Sequence, residues 1–238
     1  MNILIVESKN DKHFVEALIR HLHLQPSLSV SDASICTIDD FECLDGSDQT
    51  KLTTALSSLF ARVRKNDIEK IGILIDLDNK SVENHLELVN NAIQQAVFDD
   101  FEINFSEKLN SVSNFVKIQI DTATECQIAC FFTNVDGRGE LETVLKAIKT
   151  QDSTFADCLE AWQQCLLEKG KTAVSQKEFD KFWLNNYIRF DTCATTHRKQ
   201  AERKCSMRNF DFVLENKPRI FNFDDDILSD LKNFLHLF

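Results

Sequence analysis

The fold is decided by two stretches of sequence, MNILIVESKND at residues 1–11 and IGILIDLDNK at residues 71–80. Each begins with a short apolar run, at residues 3–6 and 71–75, and each run is followed directly by an acid, Glu7 or Asp76. Short runs of this kind are expected of strands that are buried on both faces of a parallel sheet. They predict two central strands whose carboxyl ends carry acidic side chains.

Between these strands, and after the second, apolar residues recur at the three- and four-residue spacing of helices. The predicted helical faces lie within residues 14–22, 52–63 and 86–97, and Ser81 is placed to cap the last of these helices. Further strand candidates are residues 116–120 and 128–132, with a weaker one at 34–38. This succession predicts an α/β fold with a Rossmann-like, mostly parallel sheet flanked by helices.

Beyond Gly139 the pattern is entirely helical. The candidates are residues 141–148, 155–167, 178–188, about 197–205 and 227–237. No internal repeat or low-complexity linker marks a boundary. We therefore predict an α/β domain over residues 1–150 and a helical extension over residues 151–238 that packs on it.

The composition is typical of a folded protein with a substantial core, since 43% of the residues are hydrophobic and 27% are charged. Five Gly and two Pro among 238 residues argue against a turn-rich β-sandwich. The first residues lack the basic region of a signal peptide, and no stretch approaches the roughly 18 apolar residues of a membrane span. These features predict a soluble, cytoplasmic protein without membrane contact.

The eight cysteines are interpreted mostly as small buried hydrophobic residues of a reducing compartment. The pairs Cys126/Cys130 and Cys158/Cys165 are close in the sequence, but neither has the CxxC spacing of a zinc site. A structural zinc is therefore not expected.

Charge is distributed unevenly along the chain. The formal net charge of −11 argues against nucleic-acid binding, because contacts with phosphate depend on Lys and Arg. Residues 181–208, however, contain seven Lys or Arg against two acids. This basic stretch is either a solvated helix face or a surface that docks a nucleic-acid backbone.

Four carboxylates are predicted to meet at one edge of the sheet: Glu7, Asp11, Asp76 and Asp78. Sites in open parallel sheets form outside the carboxyl ends of the strands, where Glu7 and Asp76 fall. Four carboxylates in one place repel each other unless protons or a cation compensate them, and hard oxygen ligands suit Mg²⁺ or Mn²⁺. The alternative is that these acids only cap helices or lie in solvated turns, as Asp11 could at the start of its helix.

The two motifs VESKND at residues 6–11 and ILIDLDNK at residues 73–80 resemble the Toprim fold of topoisomerases, primases, recombination proteins and OLD-family nucleases. In that family a Glu ends the first strand and a DxD motif follows a later one, which Glu7 and Asp76 with Asp78 match. Asp11 resembles the extra acid of the OLD-type branch. Ser8 stands where many members have Gly. The resemblance is strongest over residues 2–80, extends more weakly to about residue 150 and is faint beyond.

A second acidic element, DGRGELE at residues 136–142, follows the strand candidate at 128–132. Its glycines allow a tight turn before a helix, and its last acids then lie at the positive end of the helix dipole. Resemblance to OLD-type proteins implies that an acid here adds a second metal position, with Glu142 preferred and Glu140 behind it. A lysine that neutralises charge on the phosphate is expected in the basic stretch, with Lys199 preferred over Lys204.

The resulting hypothesis is an Mg²⁺- or Mn²⁺-dependent nuclease that hydrolyses phosphodiester bonds of DNA or RNA. Resemblance to the OLD branch adds a role in antiviral (phage) defence with a separate ATPase subunit, since the chain lacks the Walker-A pattern GxxxxGKS/T. An oligomer is compatible with the sequence. The rival hypothesis is a non-catalytic, Toprim-like module that binds nucleic acid or a protein. Receiver domains and haloacid-dehalogenase-type phosphatases fit less well, because their acidic motifs follow different strands.

Overall fold

The structure is a computed structural model that describes residues 1–31, 35, 49–63, 65, 68–101, 107–120, 124–198 and 204–238. These residues form an α/β fold built on one five-stranded sheet. The strands are β1 (Asn2–Val6), β2 (Leu28–Val30), β3 (Lys70–Asp76), β4 (Val116–Gln119) and β5 (Glu125–Thr133).

The sheet has the order β2-β1-β3-β5-β4. All neighbouring strands are parallel except β4, which pairs antiparallel with β5 at one edge. The prediction of a mostly parallel sheet flanked by helices is therefore confirmed. The central strands β1 and β3 are almost fully buried, which explains their continuous apolar sequences.

The second strand of the sheet was not predicted from the sequence. It covers Leu28–Val30 and pairs in register with the start of β1, whereas the candidate at residues 34–38 lies outside the described residues except for Ile35. Ile35 is buried, and its N–H donates to the carbonyl of Val6 at 3.0 Å. A strand of three residues is too short to show an alternation of apolar and polar residues, so it is identified only by its pairing with β1.

The helices are α1 (Lys9–His21), α2 (Gln49–Val63), α3 (Val82–Phe101), α4 (Leu141–Ala147), α5 (Thr154–Glu168), α6 (Gln176–Asn186), α7 (Thr195–Arg198), α8 (Phe210–Asn216) and α9 (Ser229–Leu235). The hydroxyl of Ser81 accepts from the N–H of Asn84 at 3.3 Å, which confirms the predicted cap of α3. Of the helix predicted around 197–205, His197 and Arg198 lie in α7, and residues 199–203 lie outside the described residues. Helix α8 was not predicted.

Two apolar clusters cover the two faces of the sheet. Side chains alternate along β1, so Ile3 and Ile5 face α2 and α3, while Leu4 and Val6 face α1 and the helices that follow α4. Residues from 151 onward thus share one core with the sheet. The division of the chain at residue 150 stays a prediction.

The cysteine prediction is wrong in part. Cys193 and Cys205 form a disulfide with a Cα–Cα distance of 6.2 Å, and Cys158 and Cys165 are exposed thiols. Cys126 and Cys130 are buried, as expected. The disulfide depends on the distance between the two Cα atoms in the folded protein, which the sequence spacing of the cysteines does not reveal.

None of the helices in the described part of the chain is long and apolar enough to span a bilayer.

Candidate functional site

The candidate site lies where the carboxyl ends of β1 and β3 meet. Strand β1 is flanked by β2 on one side and β3 on the other, and the helices that follow β1 and β3 lie on opposite faces of the sheet. Such a reversal opens a crevice outside the strand ends, where sites of α/β proteins form. Glu7 and Asp76 both lie there and are buried. The N–H of Asp76 donates to Oε2 of Glu7 at 3.0 Å, so the two residues are in direct contact.

Asp11 reaches the same region from the first turn of α1. Its Oδ2 accepts from the backbone N–H of Ser8 at 2.9 Å and from the Ser8 hydroxyl at 2.5 Å, which completes a capping box. Asp11 therefore takes part in capping α1, in which Ser8 is the N-cap residue and Asp11 the third residue of the helix. Its negative charge also raises the pKa of Glu7 and of Asp76, so it lies within electrostatic reach of both.

The glycine turn at residues 136–139 brings the start of α4 to these acids. Asp78 and Gly139 exchange two backbone hydrogen bonds of 2.9 and 3.1 Å, which fix the turn beside the end of β3. Oδ1 of Asp76 then accepts from the N–H of Leu141 at 3.1 Å. Glu140 and Glu142, on either side of Leu141, are buried against the other carboxylates.

Gly139 is required in this turn for two reasons. Its φ is +100°, and a Cβ there would lie 2.6 Å from Oγ1 of Thr143 in α4. Gly137 has φ +81°, but a Cβ added to it would meet no atom within 4 Å, so Gly137→Ala measures the conformational cost alone, about 1 kcal/mol. We expect Gly139→Ala to lower the free energy of unfolding by about 2–4 kcal/mol in urea denaturation. Equal losses in the two variants would contradict the close contact with Thr143.

Asp78 is bound by a lysine that was not among the sequence-based candidates. Nζ of Lys177, in the first turn of α6, lies 2.9 Å from Oδ1 of Asp78 and 3.1 Å from Oε2 of Glu140. Nζ of Lys181 lies one turn further along, 4.0 Å from the same Glu140 oxygen. The one signal in the sequence was the i, i+4 spacing of these two lysines, which places both on one face of a helix.

Of the two lysines considered from the sequence, the structure describes Lys204 and leaves Lys199 undescribed. Lys199 lies outside the described residues, so its predicted role stays a prediction. Lys204 lies with its Nζ 5.3 Å from the ring centroid of Phe212 in α8.

Helix α6 is held in place by a buried aspartate. Asp180 accepts from Nζ of Lys146 and from Nε2 of Gln176, both at 3.0 Å, and from the hydroxyl of Thr143 at 3.3 Å. Thr143 and Lys146 belong to α4, so these bonds tie α6 to the helix that carries Glu142. The register of α6 against α4 thereby sets where Lys177 reaches the acids.

Burial shifts the protonation of the cluster strongly. Desolvation, with the neighbouring Asp11 charge, raises the pKa of Glu7 to about 7. Desolvation and the Glu140 charge raise the pKa of Glu142 to about 8, against the opposing effect of Lys181. The pKa of Asp76 is also raised well above its ordinary value, by burial first and by Asp11 and Glu7 next. At neutral pH the cluster therefore retains protons that ordinary carboxylates would have lost.

Lys177 keeps its charge in this setting. Partial burial opposes the charged form, but the hydrogen bond to Asp78 and the charge of Glu140 outweigh it and raise the pKa of Lys177. Its ammonium group is the positive charge that the structure places directly against Asp78 and Glu140.

A buried histidine of α3 forms a hydrogen bond with the carboxyl end of β3. Nε2 of His85, in α3, lies 2.9 Å from the carbonyl oxygen of Asp76, and its ring packs edge-on against Phe132. Burial lowers the pKa of His85, so the ring is neutral and donates from Nε2. A lone histidine in the sequence carries no signal for this role.

The donor set fits a hard divalent cation, because it consists of carboxylate oxygens. Within the described part of the chain, Oε1 of Glu140 is buried without a hydrogen-bond partner, so one oxygen is left for a further ligand. However, no group of three or more His, Cys, Asp or Glu side chains in those same residues is already arranged around one point as metal ligands are. The oxygens of Glu7, Asp11, Asp76 and Asp78 instead accept from protein donors. Their role as metal ligands stays a prediction.

The chain was compared with protein families, curated proteins and solved structures. The family model described as protein of unknown function (DUF3226) matches residues 1–238, the whole chain. No curated protein and no solved structure matches it.

Proposed function

The chain belongs to the DUF3226 family, and from its site we propose that it is a phosphodiesterase that hydrolyses DNA or RNA with Mg²⁺ or Mn²⁺ at a Toprim-type centre. The observation that carries the proposal is the burial of several carboxylates together at the ends of β1 and β3, at a pKa that leaves them partly protonated near neutral pH. Burying uncompensated carboxylates is costly, and a divalent cation offsets that cost by replacing the protons.

The residues proposed to hold the cation are Glu7, Asp76 and Glu142, with Asp11, Asp78 and Glu140 beside them. When bound, such a cation supplies a positive charge that stabilises the negative charge developing on the phosphate. The protein's part is to hold the carboxylates rigidly: the Ser8 capping box fixes Asp11, and the N–H of Leu141 fixes Asp76.

Lys177 and Lys181 are proposed to bind the phosphate of the substrate. They are the cations that approach the cluster from α6, and a preorganised positive charge in a buried site is worth more than one in water. The basic stretch that begins at Lys181 supports binding of a polyanion by a chain whose net charge is −11. Resemblance to OLD-type nucleases adds the proposal of a separate ATPase subunit.

The test is cleavage by the purified full chain of plasmid DNA, linear DNA and single-stranded RNA in Mg²⁺, Mn²⁺ or EDTA. We expect cleavage of at least one polymer in a divalent cation and none in EDTA. Cleavage that continues in EDTA, or no cleavage of any polymer although calorimetry shows Mn²⁺ binding, would contradict a metal-dependent nuclease.

Replacement of Lys177 should separate metal binding from cleavage. In Lys177→Met, Asp78 and Glu140 lose their bound ammonium group, so we expect Mn²⁺ to bind several-fold tighter in calorimetry. Cleavage at saturating Mn²⁺ should nevertheless fall about 10- to 100-fold, because a charge directed at the phosphate is gone. Lys171→Met, an exposed lysine just before α6, is the matched control and should change neither quantity. Unchanged cleavage in Lys177→Met would exclude the proposed contact with phosphate.

A non-catalytic function is the second candidate. One observation favours it: the oxygens of Asp11, Asp76 and Asp78 already accept hydrogen bonds from the protein, so the cluster can be satisfied without a metal. A binding module should shift a fluorescently labelled oligonucleotide in anisotropy while showing no heat of Mn²⁺ binding and no cleavage. Mn²⁺ binding together with cleavage would exclude this candidate.

A further inference from the structure

Three cationic side chains gather beside the ring of Phe190, just after the end of α6. The guanidinium carbons of Arg189 and Arg198 each lie 5.7 Å from the centroid of that ring. Burial first, and the charge of Arg198 next, lower the pKa of Lys217, so this lysine lies within electrostatic reach of Arg198. Among the residues that the structure describes, none of these three cations forms an ion pair. Cations that repel each other without a counter-charge favour an anionic ligand at this surface, the Phe190 patch (Arg189, Phe190, Arg198 and Lys217).

The Phe190 patch is built on a single turn of π-helix, Tyr187–Asp191, which follows α6 directly. The N–H of Thr192 donates to the carbonyl of Tyr187 at 3.1 Å and closes the turn. Isolated π-helical turns are rare in proteins and are frequent at functional sites. Nζ of Lys217 donates to the carbonyl of Thr192 at 2.7 Å, and Nε of Arg198 donates to a backbone carbonyl at 3.1 Å. The fold therefore holds these cations in position before any ligand binds, which lowers the entropy cost of binding.

The acid of this turn, Asp191, is already engaged by the protein. Its two carboxylate oxygens accept from the N–H groups of Phe155 and Ala156 at 2.8 and 3.0 Å. These groups lie at the start of α5, where the positive end of the helix dipole offsets the charge of the carboxylate. The ring of Phe155 is 6.1 Å from that of Phe190 and is 57% exposed, so a second aromatic side chain lies beside the cations.

We propose that the Phe190 patch binds single-stranded nucleic acid, with the two guanidinium groups on phosphates and the Phe190 ring against a base. A guanidinium is planar and presents its donors in the geometry of phosphate oxygens. An aromatic ring stacks on any base, but only where the base is not already stacked within a duplex. Cations alone would suit any polyanion, and the ring between them selects the single strand. This inference rests on the proposed function for the class of polymer and names the single strand as its substrate.

The Phe190 patch lies at the opposite end of α6 from the carboxylate cluster. Lys177 is in the first turn of α6, and at the helical rise per residue Arg189 is about 18 Å further along the axis. Lys181 lies between them on the same helix. Several nucleotides of an extended strand span this distance. The proposed substrate therefore has a single-stranded tract of several nucleotides to one side of the bond that is cleaved.

Fluorescence anisotropy of labelled oligonucleotides in EDTA tests the Phe190 patch in the absence of cleavage. We expect the full wild-type chain to bind single-stranded oligothymidine of about 20 nucleotides at least about tenfold more tightly than a duplex of equal length. Phe190→Leu keeps an apolar side chain but removes the stacking surface, so the affinity for the single strand should fall about 5- to 100-fold. The weaker affinity for the duplex should stay the same. Equal affinity of the wild type for the two polymers, or an unchanged single-strand affinity in Phe190→Leu, would overturn the stacking contact.

Arg189→Gln tests the phosphate contact through its salt dependence. The slope of log association constant against log salt concentration should become shallower by about 0.7, the value for one phosphate contact on a single strand. Arg62→Gln, at an exposed residue of α2 on the opposite face of the sheet, makes the same change in net charge and is the matched control. Its slope should equal that of the wild type. Equal slopes in Arg189→Gln and Arg62→Gln would overturn the phosphate contact, and this comparison decides alone if Phe190→Leu does not fold.

The Phe190 patch and the proposed nuclease can fail separately. A wild type that cleaves in Mn²⁺ but whose binding in EDTA is indifferent to Arg189 and Phe190 would overturn the Phe190 patch and leave the nuclease. Binding of oligothymidine that depends on both residues, in a chain that cleaves no polymer, would support the Phe190 patch and remove the nuclease. A wild type that binds no oligothymidine would overturn the Phe190 patch whatever its activity.

Discussion

Asp76→Asn is expected to reduce metal-dependent cleavage at least about 1,000-fold, because it removes the charge of the most central carboxylate in the proposed site. Asn retains the oxygen that accepts from the N–H of Leu141, so the start of α4 stays capped. It also resembles the protonated form that burial already favours at Asp76. We therefore expect Asp76→Asn to be at least as stable as the wild type. Its loss of activity would then result from the missing charge and not from unfolding.

The measurement is the initial rate of cleavage at saturating Mn²⁺, with the thermal midpoint of each protein determined beside it. Asp136→Asn is the matched control, since Asp136 is an exposed residue of the glycine turn at positive φ, a conformation that Asn also adopts readily. The control should cleave at the wild-type rate. If Asp76→Asn retains more than about a tenth of the wild-type rate, the reaction takes place elsewhere.

Glu142→Gln is expected to stabilise the metal-free protein by about 2–4 kcal/mol at pH 8.5, because Gln removes a buried carboxylate whose ionisation opposes folding. The pKa of Glu142 is about 8 in the folded protein against 4.5 ordinarily, so the folded state holds a proton that the unfolded state has released. The contribution of Glu142 to the free energy of unfolding is consequently largest below pH 4.5. This contribution is lost as the pH rises from 4.5 through about 8. The free energy of unfolding of Glu142→Gln should therefore not fall by this amount as the pH rises.

The experiment is urea denaturation of both proteins in EDTA from pH 5 to pH 9. Groups that face Glu142 are Glu140, Asp11 and Lys181, and they remain in both proteins. The buried neutral His85 acts in the opposite direction, since its lowered pKa stabilises the fold as the pH rises, and the difference between the two proteins removes its contribution. Glu160→Gln on the exposed side of α5 is the control and should match the wild type.

Mn²⁺ adds a second comparison to the same experiment. A cation that replaces the protons should restore the stability of the wild type at pH 8.5 and stabilise Glu142→Gln less. A wild-type stability that does not fall between pH 5 and pH 8.5 in EDTA, or a variant less stable than the wild type at the upper end, would contradict a buried, proton-holding Glu142.

Features with a local signal could be predicted from the sequence. The apolar runs of β1 and β3 and the acids that follow them are set by neighbouring residues, so the sheet and the position of Glu7 beside Asp76 could be anticipated. The glycine turn before α4 could also be predicted, because two glycines next to the start of a helix are typical of a tight turn. Strand β2 was not predicted because its three residues are too few to show a period, and the disulfide between Cys193 and Cys205 was missed.

By itself, then, the sequence determined an α/β chain with a parallel sheet whose central strands end in carboxylates, because burial on both faces imposes a pattern that can be recognised residue by residue. The tertiary structure alone decided which cations meet those carboxylates. Lys177 and Asp78 are 99 residues apart, and their ion pair exists because Asp180 fixes α6 against α4. The raised pKa of Glu142 has the same origin, since burial by distant elements, rather than any neighbouring residue, keeps water from its carboxylate.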